Sequence, residues 1–148
     1  MADFDGPSGL TFNRGLIADP AAFARDAGAA SWLYLCGPDF DETPGGMSYA
    51  DVQAAVPASA NVVSDTVALT MDLAREQLAA LDQLPRPTLV TCRTGPRSSA
   101  LVYLYAGLQS GASAEDVIAR AVADDAPWAQ LEPLKAWVSQ GLAELKPG

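Results

Sequence analysis

The chain contains no histidine. That absence removes imidazole general acid–base catalysis and histidine-based metal sites in one step. Long apolar runs are missing too. None approaches the ~20 residues needed to span a bilayer, so no membrane partner is expected. Positive charge is scarce, with 9 Lys and Arg against 18 Asp and Glu and a net charge of −9. That balance argues against nucleic acid or an anionic membrane as a partner. Cysteine is sparse: Cys36 and Cys92 cannot build a disulfide framework and suit a reducing compartment. A cytoplasmic location is the expectation, because the acidic start Met1-Ala2-Asp3-Phe4-Asp5 lacks the apolar core of a signal peptide. No internal repeat, low-complexity segment, cofactor motif or metal-ligand pattern is present, so neither cofactor nor metal is expected.

What is there describes an ordinary globular protein. The 148 residues are 49% hydrophobic and 18% charged, which suits a single domain with a sizeable core. Residues 1–9 are read as a loose arm and 10–145 as the folded domain. Leu10 to Ile17 reads as two short strands around Asn13-Arg14-Gly15, or as one edge strand. Asp19-Pro20 starts a helix and Gly28 stops it. Ser31 to Cys36 is a near-continuous apolar run, as expected for a buried parallel strand. Residues 37–47 form a loop rich in Pro, Gly and acid. Ser48-x-x-Asp51 caps a short helix that ends before Pro57.

Asn61 to Ser64 follows as a short strand and Asp65 to Thr70 as a loop. A helix then spans Thr70 to about Gln83, with Leu73, Leu78 and Leu81 inward. Pro85-Arg86-Pro87 breaks the chain before a strand at Thr88. Ala100 to Leu108 carries almost no polar residue and reads as a central helix. Ser113-x-x-Asp116 caps another helix, and a last one covers about Leu131 to Leu145. Trp128 and Trp137 read as core residues. Strands alternating with helices predict an α/β fold with a mainly parallel central sheet flanked by helices. Ligands in such folds bind beyond the carboxyl ends of the strands, where Cys92, Cys36 and Asp65 fall.

The rest of the chain is organised around Thr88-Leu89-Val90-Thr91-Cys92-Arg93-Thr94-Gly95-Pro96-Arg97-Ser98-Ser99. A β-branched strand runs into a cysteine, then a turn rich in Gly, Pro and Arg, then a helix. Such a loop aims its N–H groups inward at the start of a helix and favours negative charge. The same field, with Arg93 and Arg97 nearby, favours the thiolate form of Cys92. A small anionic substrate or phosphorylated ligand is the expected partner. Arg93, Thr94, Gly95, Arg97 and Ser98 are the candidate anion-binding residues.

Cys92 to Ser98 resembles the Cys-x4-Arg-Ser loop of the phosphatase-like domain of beta-lactamase-hydrolase-like proteins, a bacterial branch of the cysteine phosphatase superfamily. Leu33-Tyr34-Leu35-Cys36-Gly37-Pro38-Asp39 is similar to that family's strand and Asn-x-Pro-Asp turn. Gly111-Ala112-Ser113-Ala114-Glu115-Asp116 is similar to its helix–Gly–Ser–x–Glu continuation. Rhodanese sulfurtransferases share a Cys-Arg-x-Gly-x-Arg loop.

The resemblance implies a protein-tyrosine- or dual-specificity-phosphatase-like hydrolase acting on a phosphate monoester. In that reading Cys92 attacks phosphorus to form a thiophosphate. Arg97 clamps two oxygens with its planar fork, and Ser98 helps the thiolate leave. The proton donor implied is an Asp on the loop before the helix that leads to the cysteine strand, a place Asp65 occupies. Asp39 and Asp41 are the alternatives, and Glu42 reads as solvated acidity. Some phosphatases of the superfamily carry a second cysteine at a similar strand end, which implies a reversible Cys36–Cys92 disulfide.

Two departures matter. The best-known cysteine phosphatases place five residues between cysteine and arginine; here there are four, and Pro96 deletes one N–H. A poorer cradle also suits a rhodanese-like sulfurtransferase using a Cys92 persulfide, although the usual upstream rhodanese segments are missing. A non-catalytic anion- or partner-binding pseudophosphatase is the third reading.

Overall fold

A computed structural model of the protein describes residues 9–37, 40, 46–64 and 69–145. Among them lie four strands and six helices. They are β1 (Leu10–Phe12), α1 (Pro20–Ala27), β2 (Ser31–Tyr34), α2 (Tyr49–Ala55), β3 (Ala58–Asn61), α3 (Met71–Gln83), β4 (Thr88–Thr91), α4 (Pro96–Ser110), α5 (Ala114–Ala123) and α6 (Glu132–Glu144). The sheet order is β1-β4-β2-β3, parallel throughout. The α/β class is as the alternating pattern predicts. The strand carrying the cysteine loop is interior, between β1 and β2, so its carboxyl end opens between two neighbouring chain turns.

Both faces of the sheet are covered, which is why every residue of β2 and β4 is buried, the polar Ser31, Thr88 and Thr91 included. On one face Trp32 meets Phe23 of α1 at 6.0 Å between ring centroids, and Tyr34 stacks on Tyr49 of α2 at 6.2 Å. On the other, Phe12 meets Tyr103 of α4 at 6.0 Å, and Tyr103 in turn meets Trp128 at 5.7 Å. α4 is the central helix that its sequence predicts, buried from Ser98 to Leu104 without a break. α6 lies close along it. A Cβ on Gly141 would fall 2.8 Å from Leu104 Cδ1, so the glycine permits the approach. Trp128 and Trp137 are both core residues, and Trp137 Nε1 donates to the Thr70 carbonyl at 3.0 Å.

Local signals set most helix ends. Asp19 caps α1 by accepting from Ala22 N, and Gly28 closes it in the left-handed region at φ 63. Ser48 and Asp51 form a reciprocal capping box on α2. Thr70 and Ser113 cap α3 and α5 through their hydroxyls.

Four boundaries differ from expectation. β1 is the single edge strand of the two alternatives, but only three residues long, and the chain turns away at Asn13, whose side chain bonds inward. β2 pairs only to Tyr34, although Leu35 N still reaches Thr91 O at 2.9 Å. The β-branched Val62 and Val63 point to a strand over Asn61–Ser64. Instead the small residues Ala58–Asn61 pair with β2 at the sheet edge. Finally, α4 begins at Pro96, four residues before Ala100, because proline suits a first helical turn. Arg97 and Ser98 therefore stand in the first turn of a helix. Among the described residues no helix is long and apolar enough to cross a membrane.

Candidate active site

The loop 92–95 leaves β4 and enters α4 with no side-chain cap on that helix. Its first-turn amides find the cysteine instead. Gly95 N donates to Cys92 Sγ at 3.2 Å and Ser98 N at 3.4 Å. The sulfur thus serves as the N-terminal acceptor of α4, where backbone donors and the helix dipole favour negative charge. Ser98 Oγ lies 3.5 Å from the same sulfur. Cys92 is only 3% exposed, yet it lines a cleft of about 180 Å³ with Arg93, Thr94, Pro96 and Arg97. A shielded sulfur that still faces a small opening suits a compact ligand.

Arg97 contributes the feature that asks for an occupant. Its Nη1 is buried and has no hydrogen-bond partner among the described residues. A buried guanidinium donor without an acceptor is costly, and an oxyanion in the cleft would supply one. Arg93 has a different setting, with its guanidinium carbon 5.2 Å from the centroid of the Phe40 ring.

Asn13 is the site residue that sequence reasoning misses. It stands just past β1 and is 1% exposed. Its Nδ2 donates to the carbonyls of Cys92 at 3.0 Å, Arg93 at 3.3 Å and Gly15 at 2.9 Å. Its Oδ1 accepts from Cys92 N at 3.3 Å and from Ser98 Oγ at 3.0 Å. Gly15 N adds a bond to Thr94 O at 2.8 Å. The β1–α1 turn therefore clamps the cysteine loop from one side. The only signal for this in the sequence is an Asn-x-Gly turn after a strand, which is common.

Behind the clamp, Arg14 reaches the carbonyls of Asp125 at 2.7 Å and Asp124 at 3.2 Å. Tyr103 donates to Asp124 Oδ2 at 2.6 Å, and Arg120 Nε donates to both oxygens of that carboxylate at 3.0 Å. The Tyr103 bond, then the Arg120 partner, hold the Asp124 carboxyl below its ordinary range despite partial burial. Burial, followed by the same carboxylate, pushes the Tyr103 hydroxyl well above the usual phenol range. This network ties the turn of β1 to the turn after α5.

Of the predicted loop residues, Cys92, Arg93, Thr94 and Arg97 thus line one opening, while the buried Gly95 and Ser98 hold the sulfur through their amides. Cys36 is buried two residues past the end of β2, the neighbouring strand, and no disulfide joins it to Cys92. Its carbonyl accepts from Asn61 Nδ2 at 3.1 Å. Asp39, Asp41 and Asp65 lie outside the described residues. Ser64, the last described residue before Asp65, is bound through its N–H to Leu35 O at 2.8 Å.

No protein-family model matches the sequence, and no curated protein does. Solved structures match the whole fold. A candidate phosphatase from Neisseria meningitidis Z2491 is similar at a TM-score of 0.69 and 19% identity, over 95% of this chain and 99% of its own. Tk-PTP in its active form is similar at 0.69 and 15% identity, over 97% of each chain. A candidate DUF442 phosphatase from Shewanella putrefaciens CN-32 follows at 0.64 and 19% identity, over 92% of this chain and 87% of its own. The protein has a cysteine-phosphatase-like α/β fold. Its sulfur, first-turn amides and guanidinium stand at the carboxyl end of an interior parallel strand of that fold.

Proposed function

We propose that the protein is a cysteine-dependent phosphatase-like hydrolase acting on a small phosphate monoester. The observation that carries this reading is the buried Nη1 of Arg97, without a partner among the described residues, in the cleft that Cys92 lines. A tetrahedral oxyanion seated there would accept from Arg97 while its central atom faces sulfur. That the similar folds belong to proteins described as phosphatases adds support.

In the reaction, the Cys92 thiolate attacks phosphorus, the P–O bond to the leaving group breaks, and the leaving oxygen takes a proton. Arg97 binds two non-bridging oxygens, and the loop amides of Arg93, Thr94 and Arg97 neutralise the remaining charge, while those of Gly95 and Ser98 stay on the sulfur. Pro96 has no N–H to add. With no histidine in the chain a carboxyl donates the proton, and Asp65 is our assignment ahead of Asp39 and Asp41. Water then attacks the thiophosphate, the S–P bond breaks, and sulfur leaves with the electron pair, helped by Ser98.

The test offers p-nitrophenyl phosphate, and separately thiosulfate plus cyanide, to the same protein. Phosphate release is expected, abolished by Cys92→Ser and slowed ~10²-fold by Asp65→Asn, the usual scale for losing a general acid. Thiocyanate release without phosphate release would assign a rhodanese-like sulfurtransferase instead. Neither product would leave a non-catalytic anion-binding module.

A further inference from the structure

We infer that Asn13 is a positioning residue for the sulfur, acting through Ser98 on the step in which sulfur leaves phosphorus. The inference rests on the hydrolase reading above and adds to it a residue outside the cysteine loop. Ser98 has one hydroxyl proton and three neighbours: Asn13 Oδ1 at 3.0 Å, Gly95 O at 3.2 Å and Cys92 Sγ at 3.5 Å. Ser98 is fully buried, so water cannot compete for that proton. In the resting site the hydroxyl rests on the Asn13 amide oxygen, the shortest of the three.

Asn13 can hold it there because its own position is over-determined. Nδ2 bonds three carbonyls and Oδ1 takes a second donor, the Cys92 amide. Those bonds also fix the backbone on which Sγ is carried. One side chain therefore sets both ends of the Oγ–Sγ distance.

When the S–P bond breaks, the electron pair stays on sulfur and Sγ becomes the better acceptor. The hydroxyl then turns from Asn13 Oδ1 to Sγ without moving its oxygen. Water supplies the oxygen that phosphorus gains, and its proton passes to the carboxylate left by the first step. Attack on phosphorus needs no donor to sulfur, so Asn13 bears on the second step and not the first.

Rapid-mixing kinetics with p-nitrophenyl phosphate separate the two. In Asn13→Ala and in Ser98→Ala, a burst of nitrophenol near one per protein is expected. It should be followed by a steady rate lowered about 10-fold or more, the lower range for losing a positioned proton donor. The double variant should be no slower than Ser98→Ala alone. Asn13→Ser is the second variant, because it sets no charge against the three carbonyls that Nδ2 bonds, yet its short side chain does not reach the Ser98 hydroxyl as Oδ1 does. It should show the same burst even if the alanine variant does not fold. Loss of burst and steady rate together, or additive effects in the double variant, would mean a merely structural asparagine and overturn the inference.

If the native protein releases no nitrophenol, the hydrolase reading has failed. The Oγ–Sγ coupling is then read from the rate of Cys92 alkylation by iodoacetamide. Asn13 and Ser98 variants that shift this rate equally and non-additively retain the coupling. Independent shifts, or none, reject it.

Discussion

A Cβ placed on Gly95 would lie 2.1 Å from the carbonyl oxygen of Asn13, far inside van der Waals contact. Gly95 also holds φ at +114, a conformation that side chains rarely adopt. The neighbour here is backbone and cannot swing aside. Gly95→Ala is therefore expected to cost at least about 2 kcal/mol, the sum of strain and displacement. It should also move the Gly95 amide off Cys92 Sγ. Urea unfolding reads the first effect and Cys92 alkylation the second. A variant as stable as the native protein would show that the two turns are not in contact.

Arg97 gives a prediction with opposite signs for stability and binding. Arg97→Ala removes a buried donor that has no partner among the described residues, so stability should hold or rise slightly. Inorganic phosphate binding, measured by calorimetry, should weaken about 10-fold or more, the loss of a charge-assisted pair. Arg97→Lys should recover little, because a point charge does not replace a planar fork. Unchanged phosphate affinity in the alanine variant would remove the arginine from the site.

The contrast between Cys92 and Asn13 shows what a sequence displays and what it hides. Strand, cysteine, turn and helix are consecutive, so the anion cradle is compressed into one readable stretch. Capping residues are local in the same way, which is why Asp19, Ser48, Thr70 and Ser113 mark their helices. Asn13 works through partners 79 and 85 residues away, and no spacing announces them. The β3 boundary fails for a related reason. β-branched Val62 and Val63 favour a strand by propensity, but pairing with β2 at the sheet edge falls on the small residues before them.

Tyr103 and Asp124 predict a stability that depends on pH. Asp124 is depressed in the folded state, so its contribution is complete above the ordinary carboxylate value of about 4 and is lost as pH falls through its lower folded value. Tyr103 is raised, so its contribution is complete below about 10 and is lost as pH climbs beyond. Tyr103→Phe should cost about 1–2 kcal/mol at pH 7, the range for a hydrogen bond to a charged group that keeps some water access. That difference should hold down to about pH 4 and shrink as pH falls further and the depressed carboxyl protonates. Urea titrations of both proteins across this range decide it. A difference independent of pH would point to packing against Phe12 and Trp128 rather than the hydrogen bond.

Cys36 and Cys92 follow the adjacent strands β2 and β4 by two residues and one, and both are buried. Strict alternation would put their side chains on opposite faces, since Cys36 follows Tyr34 in phase and Cys92 follows Val90. The last paired residues are Tyr34 and Thr91, with one further bond from Leu35 N to Thr91 O, so both cysteines lie past the paired register. Neighbouring strands lie ~4.8 Å apart, which brings residues one step out of register within the ~7 Å that a disulfide tolerates between Cα atoms. Mild peroxide should convert the Cys92 thiolate to a sulfenic acid, and the Cys36 thiol should then displace water from it to form the bridge. Mass spectrometry is expected to find a 36–92 crosslink lighter by two hydrogens, reversed by dithiothreitol. In Cys36→Ser the same treatment should instead carry Cys92 on to the irreversible sulfinic acid. A native protein that accumulates the sulfinate while Cys36 stays reduced would show that the two thiols do not meet.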